Sequence, residues 1–203
     1  MFHPGQGGKL YCLIGKSASG KDSIYRLLME DPSLSLKPVV TCTTRPKRDG
    51  EEDGREYHFV SEDEMHAMED AGLVAESRVY HTVYGDWYYF TEGGRSLDLS
   101  EGDRLMIATL EAFASLKAYL GEEKTVPLYI TLDDGERLER ALNRERAQKE
   151  PKYKEMCRRF LADEEDFSDE KLRAAGIGED AFFENDDLAS CHARIREMML
   201  SDG

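Results

Sequence analysis

The sequence predicts an α/β fold in which a parallel sheet is sandwiched by helices. Three observations carry that prediction. Short continuous apolar runs that suit buried strands recur at Leu10-Tyr11-Cys12-Leu13-Ile14, at Leu105-Met106-Ile107-Ala108-Thr109 and from Val126 to Leu132. Helical stretches alternate with them, and that alternation favours parallel strands covered on both faces. The first run stops at Gly15, and from Lys21 the pattern changes to a helical face of Ile24, Leu27 and Leu28, so strand, glycine loop and helix follow one another.

The remaining elements follow in order. The first helix is expected to end at Asp31-Pro32, because the residue before a proline is steered away from helical backbone. Val39-Val40-Thr41 reads as a strand, and TTRPKRDGEEDGREY as a polar loop too charged for a core. Ser61-Glu62-Asp63-Glu64 has capping-box spacing and opens a helix whose face includes Met65, Met68 and Ala71 and which stops at Gly72. Aromatic and β-branched residues from Val79 to Phe90 suit one or two strands. A helix is expected over Glu111 to Leu120. Charged helices run from Asp133 to about Leu161 and again around Ser168 to Ala175. Asp186-Asp187 suits the cap of a last helix with Leu188, Cys191, Ile195 and Met198 or Met199 on its face. This divides the chain into a core (9–36), a small inserted α+β subdomain (37–91), more core (92–132), a helical lid (133–165) and a closing core segment (166–203).

Composition excludes several classes of function. The 203 residues are 40% hydrophobic and 34% charged, which supplies a core and argues against a disordered or collagen-like chain. Forty-two acidic against 27 basic residues give a net charge of -15, so nucleic acid and anionic membrane are not expected partners. A small anion is a different case, since a local cluster of donors outweighs diffuse charge. Cys12, Cys42, Cys157 and Cys191 show no CxxC spacing and read as reduced thiols of a cytoplasmic protein. Cys42 in particular reads as a buried thiol, and the five histidines have no zinc-ligand spacing with the cysteines. No apolar run approaches the roughly 20 residues that span a bilayer, and no basic-then-apolar leader is recognisable; MFHPGQGG reads as a frayed start.

Gly15-Lys16-Ser17-Ala18-Ser19-Gly20-Lys21-Asp22 satisfies G-x-x-x-x-G-K and departs from the phosphate-loop pattern only at the last place, where Asp22 stands for Ser or Thr. Glycines let successive N–H groups turn inward around an anion, and the following helix points its positive end at the same spot. Lys21 adds a mobile charge for the outer phosphates. The fold expected is therefore of the P-loop NTPase type. Asp22 is a hard oxygen ligand that could meet Mg²⁺ directly, and Ser23 could supply a hydroxyl instead.

Thr43-Thr44-Arg45-Pro46-Lys47-Arg48-Asp49-Gly50-Glu51, followed by Gly54-Arg55-Glu56-Tyr57-His58-Phe59-Val60, then adds a second signature. With the glycine loop it makes the chain resemble the guanylate kinase family over almost its whole length. The resemblance implies that Arg45, Arg48 and Tyr57 hold the acceptor's phosphate, with Thr41 and Glu51 in the same site. It implies that Glu76 faces guanine and that Tyr84 is a further phosphate contact. The chemistry of the residues agrees in part, because guanidinium forks make paired charge-assisted bonds to phosphate. By the same resemblance the helices after Asp133 form a lid that closes over ATP, bringing Arg140, Arg144 and Arg159, with Arg158 competing for the last role. Arg137 reads as a salt-bridging surface residue, and Asp163-Glu164-Glu165-Asp166 as solvated surface from which one carboxylate could orient Arg158 or Arg159. Asn185, in Glu184-Asn185-Asp186-Asp187-Leu188, is implied to lie near adenine, beside its alternative reading as a turn and N-cap residue.

The chain departs from the family pattern at three places. Asp22 replaces a hydroxyl. The Asp-x-Asp run expected near Ile107 is missing, leaving Thr109 and Glu111 as the polar residues there, and Asp86 stands where a hydroxyl near the base is usual, so Asp22 is expected to take over metal charge and Asp86, as an acceptor-binding residue, or Glu111 the base or metal contacts. The expectation is an enzyme, a nucleoside monophosphate kinase that uses ATP and Mg²⁺ on GMP or dGMP, with small nucleotides as its partners. The alternatives are a kinase for another phosphorylated acceptor, such as a different nucleotide or a ribose bisphosphate, and a non-catalytic module that binds phosphopeptides. No oligomeric state follows from the sequence.

Overall fold

A computed structural model describes residues 7–48, 50–82 and 85–201. Its centre is strand β1 (Leu10–Ile14), all five residues of which are buried. Side chains alternate across a strand. Leu10, Cys12 and Ile14 therefore enter one apolar cluster, with Met106, Phe113, Leu116 and Tyr129, while Tyr11 and Leu13 enter another, with Ile24, Leu28, Ile130, Ile195 and Met199. A run buried on both faces needs helices above and below it. Helices α1 (Lys21–Glu30) and α7 (Leu188–Ser201) cover one side, and α3 (Leu110–Leu120) and α6 (Asp169–Ala174) the other. This is the α/β sandwich expected.

The sheet has the order β2-β7-β1-β8-β9, in which β2 is Lys37–Pro38, β7 Arg104–Ile107, β8 Thr125–Thr131 and β9 Phe182–Glu184, and every pairing is parallel. From β1 the chain crosses by α1 to β2 at the sheet edge, while β1 itself lies between β7 on one side and β8 on the other. The crevice beyond the carboxyl ends of β1, β7 and β8 is thus the place where such sheets hold ligands.

A second, four-stranded sheet has the order β4-β3-β6-β5, with β3 at Cys42–Thr43, β4 at His58–Phe59, β5 at Val74–Thr82 and β6 at Gly85–Glu92. Helix α2 (Glu62–Asp70) packs on it through Met65, against Cys42 and Phe90, and opens with the expected capping box between Ser61 and Glu64. The other face of the β5–β6 hairpin carries Glu76, Arg78 and Tyr80 opposite Thr91, Tyr89 and Trp87. A bulge between Val74 and Glu76 frees Ala75 to join the main core.

One local expectation is corrected. Val39-Val40-Thr41 is not a strand: it carries the chain from β2 to β3. Its backbone groups meet three different partners, Val39 N donating to Leu105 O, Ser96 Oγ to Val40 O and His58 N to Thr41 O, so no ladder forms. The charged run from Asp133 is two helices, α4 (Asp134–Arg146) and α5 (Tyr153–Asp166), separated around Pro151. Glu145 receives the Lys152 amide at 2.8 Å and ties their junction. Among the described residues no helix is long and apolar enough to cross a membrane.

Candidate active site

The glycine loop leaves β1 at the carboxyl edge of the sheet and enters α1 at Lys21. Its glycines are required by contact as well as by conformation. A Cβ at Gly15 would lie 2.4 Å from Ile130 O, and one at Gly20, where φ is +94°, would lie 2.2 Å from Asn185 Nδ2. Ala18, between them, is also left-handed, at φ 62°. Ser19 is fully buried and its hydroxyl makes no hydrogen bond.

The loop already grips an anion of its own chain. Asp163 on α5 accepts from Ser17 N at 2.7 Å and from Ser17 Oγ at 3.3 Å, while Glu164 takes both bonds from Lys16 Nζ, at 2.7 and 2.8 Å. Arg137 on α4 ties this together. It is only 1% exposed, donates to Ser17 O at 3.1 Å and to Asp163 at 3.0 Å, also meets Asp134 and Glu164, and stacks over Phe160. Arg137 is therefore a buried strut between lid and loop, and Asp163 and Glu164 orient it and the loop, not Arg158 or Arg159. The expectation of a solvated acidic run holds for the exposed Glu165 and Asp166 and fails at Asp163, because α5 continues past Leu161 and brings it onto the loop, with the exposed Glu164 reaching Lys16.

Lys21 folds back so that Nζ donates to Gly15 O at 2.6 Å and Lys16 O at 2.8 Å. Burial lowers it to about 8, against the opposing pull of Asp163 and Asp22. Asp22 is exposed in the first turn of α1, where negative charge suits the helix end, and Ser23 is half-buried beside it. No cluster of three metal-ligating side chains occurs among the described residues. That donor set suits Mg²⁺ carried on substrate phosphates and met by one carboxylate or hydroxyl, not a cage built by the protein.

Asn185 is not the cap of the last helix. It is 1% exposed, and Nδ2 donates to Ser19 O at 2.7 Å, so it braces the glycine loop from behind. The cap of α7 is Asp187, which accepts from Ser190 N at 2.8 Å. Arg140 reaches Asn185 O at 3.3 Å. Arg144 and Arg159 line one cleft with Ser17, whereas Arg158 is turned to Glu155 on the exposed side of α5.

On the acceptor side, Arg45 is 3% exposed and four of its five N–H groups are spoken for: Nε by Tyr89 Oη, Nη1 by Pro46 O and Glu51, Nη2 by Glu51. Its guanidinium lies over the rings of Tyr57 and Phe59. Glu51 also receives the Arg48 amide, and the Arg45 bonds hold its carboxyl below the usual range. Glu51 thus shapes the clamp, while the Arg48 side chain stays exposed. Tyr57 and Thr41 line a cavity of about 530 Å³ with Arg78, Tyr80, Trp87 and Tyr89. Those last four were missed by sequence reasoning, although their alternation along two strands was a signal that one face of a hairpin was being furnished.

Glu76 is buried, accepting from Thr91 Oγ1 at 2.7 Å and lying 3.4 Å from Arg78 Nε. Asp86 does not join the acceptor cavity. Strand alternation puts it opposite in direction to Trp87, and it pairs with His81 Nδ1 at 2.7 Å near the hairpin end. Tyr84 lies outside the described residues. Thr109, one of the two polar residues where aspartates were expected, is occupied as the N-cap of α3, and Glu111 is exposed beside the loop cavity. Cys42 is buried, and burial pushes its thiol up to about 11.

Known proteins resemble this chain in sequence and in fold. The family described as guanylate kinase matches residues 7–98. The guanylate kinase of Symbiobacterium thermophilum is 31% identical over 96% of this chain and 86% of its own length. That of Bordetella pertussis is 40% identical over a shorter stretch, 40% of this chain and 36% of its own, and that of Chlamydia muridarum is 26% identical over 96% and 88%. The solved guanylate kinase of Anaplasma phagocytophilum superposes with a TM-score of 0.59 at 17% identity, covering 98% of this chain and 87% of that one, which establishes a common fold.

Proposed function

The chain belongs to the guanylate kinase family, and from that membership we propose how its own residues divide the work of carrying the γ-phosphoryl group of ATP to GMP, with ADP and GDP as products. The observation that carries the assignment of roles is spatial. The cavity over the glycine loop, about 690 Å³ and lined by Gly15, Ser17 and Lys21, adjoins the cavity lined by Thr41 and Tyr57. Two phosphorylated molecules entering these cavities meet end to end.

On the donor side, the amides of residues 15–21 and Lys21 receive the phosphates, with Asn185 and Gly20 keeping the loop in shape. Mg²⁺ bound to ATP would neutralise phosphate charge, and the Asp22 carboxylate or the Ser23 hydroxyl would be the group of this chain to meet it. On the acceptor side, the exposed Arg48, the one remaining N–H of Arg45 and the Tyr57 hydroxyl take the acceptor's phosphate, and the aromatic face of Tyr80, Trp87 and Tyr89 offers a stacking surface for its base. Residues 37–91 act as the acceptor unit and residues 133–165 as a lid that brings Arg140, Arg144 and Arg159 to the transferring group and excludes water. The acceptor phosphate is already an anionic nucleophile, so no strong base is required. Four cysteines without a disulfide among them suit a reducing compartment such as the cytoplasm.

The test is a panel of nucleoside monophosphates and a ribose bisphosphate assayed for ADP release with ATP and Mg²⁺. GMP is expected to lead. Transfer to another acceptor alone would reassign the substrate, and tight GMP binding without transfer would leave a binding module. Replacing Arg48 with Ala is expected to cut kcat/KM for GMP by about 10²-fold, the scale of a lost charge-assisted phosphate contact.

A further inference from the structure

Arg78 lines both the acceptor cavity and the glycine-loop cavity, and so does Ile107. Ile107 brings no charge to that junction; Arg78 brings a guanidinium. Three features taken together set it apart from the other arginines of the site. Its carboxylate partner, Glu76, is buried and fixed by Thr91, so the base of the side chain is held from below, with Nε 3.4 Å from Glu76 Oε2. Its guanidinium makes no hydrogen bond among the described residues, and Nε is buried without one. Arg45 and Arg137, by contrast, have nearly all their donors in use. Finally, Arg78 is half-buried, 39% exposed, with its cross-strand neighbour Tyr89 bonded to Arg45, so it stands beside the phosphate clamp and not out on the rim.

We propose that Arg78 is a further catalytic residue, whose guanidinium donates to the equatorial oxygens of the phosphoryl group in flight, with Glu76 as its positioning residue. This rests on the kinase reading above. In the step, an oxygen of the acceptor's phosphate forms a bond to Pγ while the bond from Pγ to the β,γ-bridging oxygen breaks, and its electron pair stays on ADP. Negative charge is spread over three equatorial oxygens between two anionic molecules, and a fixed cation at their meeting point stabilises that arrangement more than either ground state. The wall beside it, Ile107-Ala108-Thr109, carries no carboxylate to oppose the charge. Glu76, tied to Thr91 and Arg78, then serves by aiming Arg78 and not by reading guanine.

The experiment compares the parent chain with Arg78→Ala, Arg78→Lys and Glu76→Gln, measuring kcat and KM with ATP and GMP, and separately the equilibrium Kd of each nucleotide. Arg78→Ala is expected to lower kcat about 10³-fold while both Kd values stay within about threefold. Arg78→Lys, which keeps the charge but not the fork, is expected to recover about tenfold of that loss, and Glu76→Gln to lower kcat about tenfold at unchanged Kd. The proposal is overturned if kcat of Arg78→Ala and Arg78→Lys stays near the parent value, or if the whole effect is a raised KM and Kd for GMP. A parent chain that phosphorylates none of the monophosphates overturns the kinase reading itself, and this proposal with it, which is a different result from an active parent and an equally active Arg78→Ala.

Discussion

Lys21 spends its charge on the carbonyls of its own loop, and burial has brought it down to about 8. A triphosphate beside it favours the ammonium form. The sign follows: above about pH 8 part of the free protein has lost that proton, so ATP binding must take one up, and affinity falls as pH rises through the value of the free lysine, by up to about tenfold per unit. Below that range the linkage vanishes. Calorimetry of ATP binding from about pH 7 to 9.5 in two buffers of different ionisation heat reads the uptake directly; a Lys21→Met chain should bind more weakly with no slope. An unchanged affinity across that range would contradict the lowered Lys21. The glycine loop was legible in the sequence because its residues are neighbours in it, while the grouping of Arg45, Arg48 and Tyr57 rests on the family resemblance. Arg78 was not, since its importance comes from the register of β5 on β6. Asp86 was misread for the same reason: one position along a strand reverses the face.

At the scale of elements, the sequence marked helix starts through the Ser61 box and Asp187, because caps are chemistry within three residues, whereas Thr109, read as the end of a strand, caps α3. It did not mark where α4 stops and α5 ends, nor that α5 delivers Asp163 to Ser17, a contact between residues 146 apart. That contact makes a prediction. Asp163→Asn keeps an acceptor for Ser17 N and for Arg137 but removes the charge that occupies the loop, so ATP should bind about tenfold more tightly. Weaker or unaltered binding would mean that Asp163 supports the loop and does not compete for it.

Across the whole molecule, two sheets are joined without a flexible linker. The bulge in β5 places Ala75 beside Phe113 in the main core, and residues 39–41 bond to both sheets in passing. The two sheets should therefore melt together. A single calorimetric transition is expected, and one nucleotide at about a hundred times its Kd should add about 2.7 kcal/mol, raising Tm by roughly 5–10 °C for a chain of this size. Two separated transitions, only one of them moved by GMP, would show that the acceptor sheet unfolds alone. The α/β class was readable from three apolar runs because a central parallel strand has to be apolar on both faces. The second sheet was harder, for its strands β3 and β4 are two residues each and are held mainly by partners far along the chain.

The clasp of Asp163 on Ser17 also bears on how a spent donor leaves. As ADP departs, its phosphate oxygens can be replaced on the same amide by a tethered carboxylate, so departure becomes an exchange of one oxyanion for another and never strips the amide bare. A tethered substitute of that kind would ease the step at which a tight grip stalls turnover.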